Sequence, residues 1–225
     1  RKSEISGINV TLPYKQKVLP YLDKVVNDAK SCNSVNTIYL DQNKKLVGDN
    51  TDVYGFQAGY LKEVVDKSQT NQNALVLGAG GVSPSIIYSL KKSNINNITV
   101  TNRTYEKGIF LKKIFPFIQI LKWEEYEAEL KNFDIIINAT SLGLKGNENF
   151  QSLFKDFKSS LIYIDTIYNP IQTKMIKHLK SNNVKTFNGL EMFMYQGQKS
   201  FYLWNKVNPE INDEIIDLLM SKIND

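Results

Sequence analysis

Asn73-Ala74-Leu75-Val76-Leu77-Gly78-Ala79-Gly80-Gly81-Val82-Ser83 is the stretch on which the fold turns. Ala74 to Leu77 is a short, continuous apolar run, as expected of a strand covered on both faces. It stops at a glycine cluster. Residues 84 to 92 then read as a helix, with Pro84 suited to its first turn. A glycine cluster alone says little, but between a strand and a helix it is the arrangement that cradles a dinucleotide pyrophosphate. Gly78 permits the tight turn, and Gly80 and Gly81 let the backbone approach the anion. The helix N-terminus offers its N–H groups. Ala79 and Val82 complete the candidate cofactor loop, and Ser83 is small enough for close strand–helix packing. An ordinary strand–helix turn has no need of so many glycines.

Outward from this loop, strands and helices alternate. Strands are expected at 98–101, 118–120, 135–137, 161–164 and 184–187, and helices at 105–114, 123–130 and 171–181. That alternation predicts an α/β chain with a Rossmann-type, doubly wound parallel sheet. Upstream, 6–11 reads as a strand end, 15–27 as a short helix despite Pro20, and 35–40 and 45–48 as two strands around a turn. A helix follows over 51–65, with Phe56, Tyr60, Leu61 and Val64 on one face. The tail from Gly189 to Ile223 reads as helical. Met192, Met194, Tyr195, Phe201 and Leu203 fill its first helix. Ile211, Ile215, Leu218, Leu219 and Ile223 stripe the second, a pattern of core or domain packing. The expected division is a nucleotide domain over 53–188. A smaller, discontinuous α/β substrate domain takes 1–52 and 189–225.

The strand after the glycine loop tests the choice of nucleotide. An NAD site usually carries an acid about 20 residues beyond the glycines, bonded to the ribose hydroxyls. Here the strand ends in Asn102-Arg103-Thr104, with no acid at its tip. The planar fork of Arg103 suits stacking on adenine and pairing with a 2′-phosphate. Lys107, one turn on, adds charge, and Thr104 can cap the helix. These residues point to NADP(H). Asn138-Ala139-Thr140-Ser141-Leu142-Gly143 follows a later strand, and at its carboxyl end Thr140 and Ser141 can line the same crevice.

Composition narrows the alternatives. The 225 residues are 42% hydrophobic and 23% charged, as in an ordinary globular protein. The formal net charge is +5, but the lysines are scattered, with pairs only at 44–45, 91–92 and 112–113. A solvated surface explains them better than a nucleic-acid face. One cysteine, Cys32, excludes a disulfide framework and a cysteine-cluster metal site and fits a reducing, cytoplasmic setting. The single histidine, His178, lies among lysines and reads as a surface residue, which argues against a Ser-His-Asp triad. No metal site, no membrane span and no signal peptide is expected.

Three further runs carry chemistry: Asn9-Val10-Thr11-Leu12-Pro13-Tyr14-Lys15, Gly48-Asp49-Asn50-Thr51-Asp52, and Asn188-Gly189-Leu190-Glu191-Met192 through Gln196-Gly197. Together with the glycine loop and the Asn102-Arg103-Thr104 strand end, their order and spacing resemble the shikimate dehydrogenase family along essentially the whole chain. The resemblance implies the reversible, NADP-dependent reduction of 3-dehydroshikimate to shikimate, a step of aromatic amino-acid biosynthesis. It implies Lys15 and Asp52 as the catalytic pair, with Thr11, Asn36, Tyr168 and Gln196 around the substrate. Tyr168 stands in Asp165-Thr166-Ile167-Tyr168-Asn169-Pro170. Gly189 and Met192 are implied on the nicotinamide side. The family also opens with a strand whose hydroxyl side chains grip the shikimate carboxylate. Nothing here matches it, Arg1-Lys2-Ser3 does not replace it, and incomplete coverage is the expectation.

Taken singly, Lys15 could be a surface lysine and Asp52 a helix-capping acid. Together, an ammonium can stabilise an oxygen that becomes an alkoxide and supply its proton, and a carboxylate can hold that ammonium in place. Two rival readings are a quinate/shikimate dehydrogenase using NAD and a nucleotide-binding module without turnover. Arg103 argues against the first, and retention of both Lys15 and Asp52 against the second. The expected partner is a small-molecule substrate, with the protein a monomer or homodimer.

Overall fold

The computed structural model describes residues 5–65, 71–145 and 150–224; Arg1-Lys2-Ser3 lies outside them. The chain first builds a four-stranded sheet from β1 (Gly7–Asn9), β2 (Lys24–Val25), β3 (Thr37–Leu40) and β4 (Leu46–Asp49). Its order is β1-β3-β4-β2, antiparallel except for the β2–β4 pair. Helix α1 (Asn27–Cys32) packs against β4. The expected helix over 15–27 does not form. Pro20 opens a single 3-10 turn, Leu19–Tyr21, and the chain is extended again at β2. Proline fixes φ and lacks an N–H, so it is tolerated at the start of a turn but not inside a helix.

Helix α2 (Thr51–Phe56) continues through a π segment, Gln57–Leu61, into α3 (Lys62–Val64). The six-stranded sheet follows: β5 (Asn73–Leu77), β6 (Asn97–Thr101), β7 (Gln119–Leu121), β8 (Ile135–Asn138), β9 (Ile162–Asp165) and β10 (Lys185–Phe187). All of its pairs are parallel, in the order β10-β9-β8-β5-β6-β7. The chain starts in the middle, moves outward to β7, and returns across β5 to β8. The strand order reverses there, and in such sheets the crevice outside the strand ends at the reversal is the ligand site. The crossovers include α4 (Ser83–Lys92), α5 (Tyr105–Ile114) and α6 (Lys174–Ser181).

The strands are buried on both faces, with the period of two that a strand requires. Ala74, Val76, Ile135 and Ile137 join the cluster of Phe56, Tyr60, Ile86 and Leu90. Leu75, Leu77 and Ile136 join that of Tyr126, Tyr163, Met175 and Leu179 on the other face. The segment expected as a helix over 123–130 is instead 3-10 turn, Tyr126–Asn132. Helix α7 (Leu190–Asn205) runs back to the four-stranded sheet and packs along α2. Helix α8 (Asp213–Asn224) departs from expectation: its apolar stripe does not form a core, and Leu218 is 60% exposed. Among the described residues no helix is long and apolar enough to cross a membrane.

Candidate active site

A cavity of about 780 Å3 lies between the two sheets at the carboxyl ends of β5, β6, β8 and β9. That volume is in the usual range for ligand sites. One end of it is assembled from four separate segments. Lys15 Nζ donates to Asp52 Oδ2 at 2.6 Å, with both side chains about one-tenth exposed. Asn36 Nδ2 donates to Asp52 Oδ1 at 2.9 Å and to Thr51 Oγ1 at 2.9 Å, and lies 3.5 Å from Gln196 Oε1. Asn36 Oδ1 accepts the backbone N–H of Thr51 at 2.7 Å, and Thr51 Oγ1 meets Ser200 Oγ of α7 at 2.9 Å.

Local backbone bonds place these groups. The Val10 N–H donates to the Asn36 carbonyl at 2.7 Å and the Val35 N–H to the Lys15 carbonyl at 2.8 Å, so the segment from Val10 to Lys15 is tied at both ends to the approach of β3. Asp52 stands in the first turn of α2, where a carboxylate is favoured by the helix dipole. Asn50 caps that helix, its Oδ1 accepting from the Val53 N–H.

The cofactor end is built largely from backbone. Gly78 has φ +107°, and a Cβ there would come within 2.8 Å of the Ala139 carbonyl oxygen, so only glycine fits the turn. The Gly78 N–H donates to the Thr101 carbonyl, and the Ala79 N–H to Asn102 Oδ1. A Cβ on Gly81 would lie 2.5 Å from Leu12 Cδ2, so the glycine loop closes directly on the segment that carries Thr11 and Lys15. Gly80 and Val82 also line the cavity, as do Arg103 and Lys107 at its far end. Thr104 does not line it. It occupies the N-cap position of α5 without a side-chain capping bond, and its carbonyl accepts from Asn102 Nδ2.

Two loops close the floor. Asn138 Oδ1 accepts from the N–H and hydroxyl of Thr140, and Asn138 Nδ2 donates to the Leu142 carbonyl and to Asp165 Oδ1. Asp165 is fully buried and also accepts from the Ile167 N–H and the Thr173 hydroxyl. Burial pushes its carboxyl up to about 6, against the hydrogen bonds that favour the ionised form. This carboxylate thus ties the loop carrying Thr140 and Ser141 to the one carrying Tyr168. Tyr168 stacks on Phe193 of α7, ring centroids 4.5 Å apart.

The Gly189 N–H donates to the Ile167 carbonyl, and Tyr60, inside the π segment, donates its hydroxyl to the Asn188 carbonyl at 2.6 Å. These bonds set the start of α7, which brings Met192 and Gln196 to the cavity.

Every candidate site residue except Thr104 therefore lines one cavity. Sequence reading did not single out Leu12, Trp123, Phe193, Asp165 or Tyr60. The two polar groups act on the site through other residues, and the apolar ones look like core in a linear pattern. His178 is a half-buried residue whose Nε2 hydrogen-bonds with the Phe154 carbonyl, away from the cavity. Among the described residues no group of three or more metal-ligating side chains occurs.

Residues 61–192 match the shikimate / quinate 5-dehydrogenase family, and residues 1–38 match the shikimate dehydrogenase substrate binding domain. The chain is 44% identical over 219 residues to the shikimate dehydrogenase (NADP(+)) of Pelagibacter ubique, covering 97% of this chain and 80% of that protein. The crystal structure of shikimate 5-dehydrogenase from Thermus thermophilus, in complex with NADP(H) and shikimate, superposes with a TM-score of 0.82 at 26% identity, covering 98% of this chain and 80% of that one. Quinate dehydrogenase from Corynebacterium glutamicum, in complex with NAD, gives 0.84 at 25% identity, covering 96% and 78%.

Proposed function

The chain belongs to the shikimate/quinate 5-dehydrogenase family, and on that premise we propose that it catalyses the reversible, NADP(H)-dependent reduction of 3-dehydroshikimate to shikimate. The observation that carries this reading is the Lys15–Asp52 pair, 2.6 Å apart and facing the cavity that the glycine loop closes. The residues at the far end fit NADP(H). Gly78, Gly80 and Gly81 would let backbone approach a pyrophosphate at the N-terminus of α4, and Arg103 and Lys107 would supply charge for a 2′-phosphate. When bound there, the cofactor supplies or accepts the hydride.

The chain's own residues handle the oxygen and its proton. The Lys15 ammonium donates to the carbonyl oxygen and stabilises the negative charge that develops on it. It then passes a proton, so the carbonyl becomes a hydroxyl. In the oxidative direction Lys15 takes that proton back. Asp52 holds the ammonium in place and accepts a second hydrogen bond from Asn36, so neither side chain is free to swing away. Thr11, Asn36, Tyr168 and Gln196, which line the cavity, would hold the substrate, and Met192 would contribute to holding the cofactor. Asn102, with Thr104 through its carbonyl, holds the strand end that presents Arg103. Residues 1–52 and 189–225 act as the substrate domain and 53–188 as the nucleotide domain. The unpaired, buried Cys32 supports a cytoplasmic setting.

A steady-state assay pairing shikimate or quinate with NADP or NAD tests the proposal. Turnover is expected with shikimate and NADP above every other pair. Preference for quinate with NAD would make the chain a quinate dehydrogenase, and no turnover with any pair would overturn the enzymatic reading.

A further inference from the structure

Trp123 lies on the cavity wall, although neither the glycine loop nor the catalytic pair involves it. Strands β6 and β7 run in parallel with Thr101 opposite Leu121. Arg103 and Trp123 each stand two residues beyond that pair, on the segments that leave two adjacent strands. Both line the same cavity, together with Lys107. β7 is the edge strand of its sheet, which makes Trp123 the outer wall at this end. The indole is not loose. It packs on Tyr126, ring centroids 4.8 Å apart and planes tilted by 52°, and Tyr126 is buried in the second core cluster. A half-buried, pre-positioned aromatic surface that shares a cavity with a guanidinium is what a purine requires of its site, since every base offers a π face.

We propose that Trp123 forms the outer wall of the adenine subsite and contacts the purine ring with its indole. Arg103 and Lys107 read the 2′-phosphate, and Trp123 binds the adenylate part that NADP and NAD share. The inference rests on the cofactor reading above.

The test uses adenosine 2′,5′-bisphosphate and 5′-AMP as probes, with affinities measured by calorimetry. If the unaltered protein does not bind the bisphosphate, the cofactor reading itself fails. Given that binding, Trp123→Ala is expected to weaken both probes by a similar factor, about five- to a hundredfold. Arg103→Ala should weaken the bisphosphate much more than 5′-AMP. Trp123→Phe should recover most of the affinity. Trp123→Leu, which keeps apolar bulk against Tyr126 and so preserves the fold, should not. Binding of the bisphosphate should also quench more tryptophan emission in the unaltered protein than in Trp123→Phe, where only Trp204 remains. Unchanged affinity in Trp123→Ala, full affinity in Trp123→Leu, loss confined to the bisphosphate, or equal quenching in the two proteins would each overturn the proposal.

Discussion

The two sheets that enclose the cavity are held by different forces. The six-stranded sheet is covered on both faces by clusters of fully buried side chains from Leu75 and Val76 to Tyr163. Among the described residues, the core cluster of the four-stranded sheet has three buried apolar side chains, Ala29, Val35 and Ile38, and Ile8 and Leu12 are exposed. Its precision comes from polar bonds instead: Asn36 to Thr51 and Asp52, Thr51 to Ser200, and Asn50 to Ser34 and Ser85. Apolar burial is strong but non-directional, whereas hydrogen bonds add little net stability and fix orientation tightly. The scaffold is therefore built by the first and the catalytic geometry by the second.

The largest expected effect lies at the Lys15–Asp52 pair. Lys15→Ala should lower kcat by ~10²–10⁴-fold, the usual reach of general acid–base catalysis, while leaving the Kd for NADP near its original value. Pre-steady-state binding and steady-state rates on one preparation check both halves; near-normal kcat would make Lys15 a binding contact only. In the six-stranded sheet, Leu90→Ala should cost ~2–5 kcal/mol in urea unfolding, through a cavity beneath α4, with kcat per folded molecule unchanged. A parallel loss of kcat would show that the core also tunes the site.

Asp165 sharpens the comparison, because it is a polar hub set inside the apolar region. Its carboxyl titrates near 6 in the folded chain and ~3.9 when unfolded. Between those values the folded state binds more protons, so the contribution of this group to stability falls as pH rises from about 4 to about 6, by up to ~3 kcal/mol. Above that window it is constant. Asp165→Asn removes the slope, and the stability difference between the two proteins at pH 4.5 and pH 7 measures it. A difference independent of pH would mean that the hydrogen bonds keep the carboxylate ionised throughout.

The smallest effect on stability, and the most diagnostic, belongs to Asn36→Ala. It strands the buried Thr51 N–H and one oxygen of Asp52, for about 1–3 kcal/mol. Unlike Leu90→Ala, it should also lower kcat, since Asp52 loses a bond that orients it. Loss of stability alone would erase the distinction between the two regions.

How far the sequence reaches depends on whether a signal is local. The run from Asn73 to Ser83 carries its own strand, turn and helix start, so the parallel sheet and the cofactor loop could be read from it. Lys15, Asp52 and Gln196 could be named because they sit in recognisable runs, yet nothing local brings them together. Residues 15–27 carry helical spacing, but Pro20 limits them to a single 3-10 turn. The stripe of α8 misled because amphipathic spacing reports that a helix has an apolar face and not what covers it.

By itself the amino-acid order determined the fold class, the glycine turn and the absence of an acid beside Arg103. These follow from backbone sterics, apolar periodicity and residue chemistry within a few neighbouring positions. Only the tertiary structure decided that Asn36 orders Asp52, that Asp165 joins two cavity loops, that Tyr60 sets the start of α7, and that Trp123 and Arg103 line one cavity. Each of those contacts spans from 16 to 128 residues or depends on strand register. A chain brings such distant groups together only when burial of its apolar surface outweighs the entropy of closing the loops between them, and that is a property of the whole fold.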